Sequence, residues 1–145
     1  MAKFIRNTDV PQDTKYERGL KIEFGINDAT AGSTDITMGH TIIPAGSRNQ
    51  RHYHACNACM YIIRGQLKVL IGDGDTYYEK EVGPGTFVYV PKGEIHGLIN
   101  LSDTEDAELV FAYAGVPNKE AACTTFVDSV DVVERHLAAK GIKVE

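Results

Sequence analysis

Five histidines are the residues of this 145-residue chain best suited to chemistry, and two of them form His52-Tyr53-His54. On a β-strand, residues i and i+2 project from one face, about 7 Å apart along the backbone. Two imidazoles so placed can converge on one metal ion, or each can serve alone as a hydrogen-bonding histidine. His96, just after the turn residues Pro91-Lys92-Gly93, is a third donor that a closed barrel would bring alongside. Arg48 and Gln50 share the strand phase of His52 and His54 and are candidate catalytic residues at the cavity or its rim. An arginine there would suit a carboxylate or enolate, or stand as a solvated rim charge. Tyr113 is a candidate phenolic proton donor. Met60 and Ile62, with Phe87 or Tyr89, would make the wall apolar, whereas His40 is expected in structural hydrogen bonds and His136 exposed.

Strands must position these groups. Ile and Val total 24 residues against 7 Leu, and 14 glycines punctuate the chain, a composition suited to pleated strands and tight turns. Leu20, Ile22, Phe24 and Ile26 alternate with Lys21 and Glu23, and Leu67, Val69 and Ile71 flank Lys68. Further strand-like runs cover 35–43, 48–54, 58–63, 76–80, 86–90, 95–100 and 107–114, separated by Gly- and Pro-rich turns. Many short strands at roughly ten-residue intervals indicate an all-β antiparallel sandwich or barrel. The tail differs: Ser129 is placed to cap a short C-terminal helix over about 130–140, with Gly141 as its stop. The expected organisation is an arm over 1–19, a barrel over 20–117 and a C-terminal extension over 118–145.

One domain is the natural reading of this length. Apolar residues make up 43% and charged residues 24%, which excludes collagen, coiled coil, disorder and a disulfide scaffold. Lys and Arg number 15 against 20 Asp and Glu, with no basic stripe, so no nucleic-acid partner is expected. No apolar stretch approaches the ~20 residues of a membrane span, so no membrane partner is expected either. Three cysteines suit a reduced, cytoplasmic protein.

Residues around the histidines carry a resemblance. Gly46, five residues, His52, one residue, His54 and later Gly65 resemble the first cupin motif. Gly85, five residues, Pro91, one residue, Gly93, two residues, His96, three residues and Asn100 match the second. The chain is thus identified as a small single-domain member of the cupin superfamily. The resemblance implies a double-stranded antiparallel β-helix, or jelly-roll barrel, holding one divalent ion, with His52, His54 and His96 as metal ligands.

One departure stands out. Cupins commonly place a glutamate at the position occupied here by Ala58, which cannot ligate. Three imidazoles leave the ion its full charge and more open positions. The set is similar to three-histidine cupins such as the cysteine and acetylacetone dioxygenases, which implies Fe(II) and dioxygen chemistry on a small-molecule substrate. Zn, Ni or Mn in a redox-neutral isomerase, lyase or cyclase is the alternative, as is a non-catalytic binding module. Cys59 could replace the missing ligand through a bulge, although regular alternation turns it away. Cys56 and Cys59 form a C-x-x-C without the strand-to-helix context of redox exchange and read as small buried hydrophobes. A homodimer is expected from resemblance to small cupins.

Overall fold

The computed structural model describes residues 1–143, so the last two positions of the expected extension lie outside the described residues. The chain forms β1 (Lys21–Ile26), α1 (Asp28–Ala31), β2 (Ile36–Ile43), β3 (His52–Tyr53), β4 (Ala58–Arg64) and β5 (Leu67–Ile71). It continues with β6 (Tyr78–Val82), β7 (Phe87–Val90), β8 (His96–Asn100), β9 (Ala107–Ala114), β10 (Thr125–Phe126) and α2 (Asp131–Ala139). Two five-stranded sheets, ordered β1-β2-β9-β4-β7 and β10-β3-β8-β5-β6, pair antiparallel throughout. This is the all-β jelly roll with a short C-terminal helix that the strand spacing and motifs led us to expect.

The core lies between the sheets. Ile22, Ile43, Ile62 and Leu67 are almost completely shielded from solvent. Burying such a side chain stabilises the fold by about 1.5–3 kcal/mol. Phe111 packs edge-on against Phe24 with ring centroids 5.7 Å apart. Its ring needs the missing side chain of its cross-strand partner Gly39, where a Cβ would sit 2.4 Å from the ring.

The barrel draws on residues from both sides of 20–117. Thr125 and Phe126 add a strand beside β3. At the other end, Asp13 exchanges both backbone hydrogen bonds with Ile22, and Glu17 is buried. The helix α2 buries Val133 and Leu137, and Gly141 ends it in the left-handed conformation. No side chain caps its N-terminus; Ser129 contributes only its carbonyl, to Val132 N. His136, expected to be exposed, is half-buried and donates to Gly46 O at 3.0 Å. Among the described residues no helix is long and apolar enough to cross a membrane.

Candidate metal centre

His52 and His96 face each other directly across β3 and β8, and His54 follows two residues along the chain. All three are buried, and one ring nitrogen from each lies within 4.8 Å of the others. Each ring has its remaining nitrogen occupied elsewhere. His52 Nδ1 donates to Gln50 O at 2.8 Å and His96 Nδ1 to Glu94 O at 2.9 Å. His54 Nδ1 pairs with Thr124 Oγ1, also at 2.8 Å. These bonds fix ring orientation and direct the Nε2 lone pairs of His52 and His96 inward, as second partners of metal-binding histidines do.

The electrostatics suit a cation. Burial pushes the pKa values of His52 and His96 down to about 4, and that of His54 to about 2 with help from the other two rings. Neutral imidazoles with free lone pairs are the ligand form, so this donor set fits one divalent ion.

Ala58 lies on the cavity wall, opposite Tyr113 in the register of β4 and β9. Tyr113 is buried with its ring 4.7 Å from that of His54. Its hydroxyl lies 3.5 Å from the Tyr16 hydroxyl, which is also bonded to Thr124 Oγ1. Burial raises the Tyr16 pKa to about 12 and that of Tyr113 well above the ordinary phenol value. A chain of hydroxyls therefore runs from Tyr113 through Tyr16 and Thr124 to the back of His54.

The expected rim residues lie elsewhere. Arg48 points to an outer groove shared with Arg51, Tyr77 and Asp128, and its Nε donates to Asn49 O. Gln50 donates its amide to Asp128 O at 2.8 Å and serves His52 only through its carbonyl. The reason is local. Regular β3 contains just two residues, so the preceding segment is not bound to strand parity, and Asn49 turns inward instead. Phe87 and Tyr89, expected on the wall, are 81% and 66% exposed, whereas Val90 of the same strand faces the core. Met60 lines the cavity and Ile62 packs in the core below it. His40 lies between Glu23 and Glu108, bonded to both. Cys59 is exposed and stands outside the converging donor group; Cys56 is buried.

Two further groups at the site carried no motif. Glu17 is 7% exposed and its Oε1 lies 3.3 Å from His52 Nε2. Burial raises its pKa, and a hydrogen bond from Asn49 Nδ2 at 2.9 Å opposes that rise. Asn49 also accepts from Leu98 N at 2.7 Å, while its own N–H donates to Leu98 O, so it pairs with the β8 edge ahead of the start of β3.

The cupin-domain family matches residues 39–113, more than half of the chain and both histidine motifs. Protein SchB of Streptomyces halstedii is 30% identical over 111 residues, spanning 76% of this chain and 75% of its own. The polyketide cyclase RemF from Streptomyces resistomycificus superposes with a TM-score of 0.71 at 18% identity, over 89% of this chain and 87% of RemF. Bacillus subtilis oxalate decarboxylase gives 0.71 at 20% identity over 97% of this chain, which spans about a third of that enzyme's length (36%). At these identities the solved structures share the fold, while the domain match and the SchB alignment establish kinship: the chain belongs to the cupin family.

Proposed function

We propose that this protein is a metal-dependent enzyme for redox-neutral chemistry on a small, carbonyl-rich molecule, a cyclisation, isomerisation or lyase step. The observation that carries the reading is the hydroxyl chain Tyr113–Tyr16–Thr124–His54 beside three converging imidazoles. A bound divalent ion supplies Lewis acidity toward a carbonyl or enol oxygen. Tyr113, neutral at physiological pH, donates a hydrogen bond to negative charge developing on that oxygen. Tyr16 and Thr124 hold the phenol and the back of His54 in place, so the donor needs little reorganisation during reaction. Met60, Phe111 and Leu109 give the same cavity apolar walls. Such walls favour an apolar substrate body with a few polar handles. Similarity to a polyketide cyclase over nearly its whole length supports the same class.

A second reading, an Fe(II) dioxygenase, is favoured by the three neutral imidazoles and the absence of a motif carboxylate at Ala58. One experiment separates the two. Zinc-, nickel-, manganese- and iron-loaded protein is incubated with aromatic poly-β-ketones and β-diketones, with and without oxygen, and products are weighed by mass spectrometry. Oxygen-independent products of unchanged mass, or lighter by one water, support the proposal. Iron-specific oxygen uptake with two oxygen atoms gained supports the dioxygenase instead, and no turnover with any metal points to a binding module.

We also propose a cytoplasmic homodimer. Three free cysteines fit a reducing compartment. Phe87 and Tyr89 project from β7, an edge strand, where a second copy would cover them.

A further inference from the structure

Building on the metal-site reading above, we infer that Glu17 supplies the carboxylate ligand that the first motif lacks at Ala58, delivered from a segment outside the barrel strands.

Distance points to this first. His52 Nδ1 is committed to Gln50 O, so Nε2 presents its lone pair to Glu17 Oε1 at 3.3 Å. With the carboxylate ionised both atoms are acceptors in a buried place, and either a cation or a shared proton must lie between them. With metal–ligand bonds of about 2.1 Å, neighbouring ligands at tetrahedral or octahedral angles are separated by about 3.0–3.4 Å. The observed separation matches one such edge, from Glu17 to His52; the converging group itself is the three imidazoles, so ligation requires the Glu17 side chain to turn further toward them.

Burial points the same way. A carboxylate this deep is costly unless a positive charge compensates it. Asn49 donates one amide hydrogen bond, and an ion on the imidazoles would provide the charge.

The segment carrying Glu17 is also firmly placed. Asp13 pairs with Ile22 through both backbone hydrogen bonds, and its carboxylate accepts from Lys15 N and Tyr16 N at 2.8 and 2.9 Å. Ser47 Oγ ties down Gly19 O. Gly19 has a φ of +91°, and a Cβ there would lie 2.0 Å from Arg48 O. Only glycine permits this close crossing, and the crossing brings Glu17 into the cavity two residues earlier.

Three imidazoles and one carboxylate leave an ion of charge two with a net charge of one. An ion held by these four residues in an octahedral shell would leave two positions, which would suit a β-dicarbonyl enolate binding through both oxygens. The substrate class thereby narrows to monoanionic bidentate oxygen donors.

The test is metal binding, independent of turnover. Zinc and manganese affinities of wild type, E17Q and E17D are measured against a chromophoric chelator, and the cobalt(II) visible spectrum is recorded for each. E17Q removes the charge; E17D keeps it but withdraws the oxygens by one methylene. Both variants should bind at least ~10–100-fold more weakly and shift the cobalt bands. Wild-type affinity with an unchanged cobalt spectrum in E17Q overturns the inference and leaves the three-histidine site standing. A crystal structure of zinc-loaded wild type decides between the two outcomes even if both variants misfold. A Glu17 oxygen within about 2.2 Å of the ion supports ligation, and a carboxylate still on Asn49 with water in its place refutes it. Wild type that takes up no metal overturns both this inference and the reading beneath it.

Discussion

Replacing Asn49 by alanine should destabilise the metal-free protein by about 3–5 kcal/mol. Asn49 is 2% exposed and makes two side-chain hydrogen bonds, donating to Glu17 Oε1 and accepting from Leu98 N. A hydrogen bond to a charged group contributes ~1.5–3 kcal/mol, and stranding a buried N–H costs ~1–3 kcal/mol. For a chain of this size the loss corresponds to a fall in Tm of roughly 8–15 °C. The assay is urea unfolding and a thermal melt in the presence of a chelator, so that metal does not mask the change. N49D sharpens the reasoning: it keeps an acceptor for Leu98 N but sets a second carboxylate against Glu17. It should be at least as unstable as N49A at neutral pH and recover as pH falls and the pair takes up a proton. A loss under ~1 kcal/mol for N49A, with no pH-dependent recovery in N49D, would refute the idea that this amide holds a buried carboxylate.

Other expectations are simpler to read. Y113F should retain stoichiometric metal yet lose ~10²-fold in kcat once a substrate is found, as removal of a preorganised donor does; an unchanged kcat contradicts the proposed role. At His40 burial lowers the pKa, but the Glu108 and Glu23 carboxylates outweigh it and raise the value above that of a free histidine. The stability this contributes is fully present below the ordinary histidine pKa and is lost as pH rises through the raised folded value. NMR titration of His40, and denaturation of wild type against H40Q across that window, check the sign. F87E/Y89E should shift a dimer to monomer in light scattering while the circular dichroism spectrum stays that of the wild type, since both side chains are exposed in the single chain. A dimer that persists rejects β7 as the contact.

How far the sequence reached follows from local regularity. Leu20, Ile22 and Phe24 alternate with polar residues, and all three are buried as that alternation requires. The glycine and proline spacing of the second motif places His96 at the start of β8 after a tight turn in which Gly93 takes a φ of +83°. Parity failed where it had nothing to hold. The Phe87–Val90 strand is apolar on both faces, so its pattern carries no phase, and its aromatic residues turned out to face solvent. Arg48 and Gln50 precede a strand of two residues, so counting back from His52 placed them wrongly. The two-residue β10 is too short to show any period. Glu17 and Asn49 were illegible for a different reason. Their positions depend on a chain crossing between Gly19 and Arg48 and on an edge hydrogen bond to Leu98, both far apart in sequence.

The most direct test of the metal centre is metal content by mass spectrometry on wild type and H96A purified without a histidine tag. Near one divalent ion per wild-type chain and almost none in H96A is the predicted result, with both proteins folded by circular dichroism. Wild type that stays metal-free after exposure to iron, zinc, nickel and manganese, or H96A that holds as much metal as wild type, would contradict it.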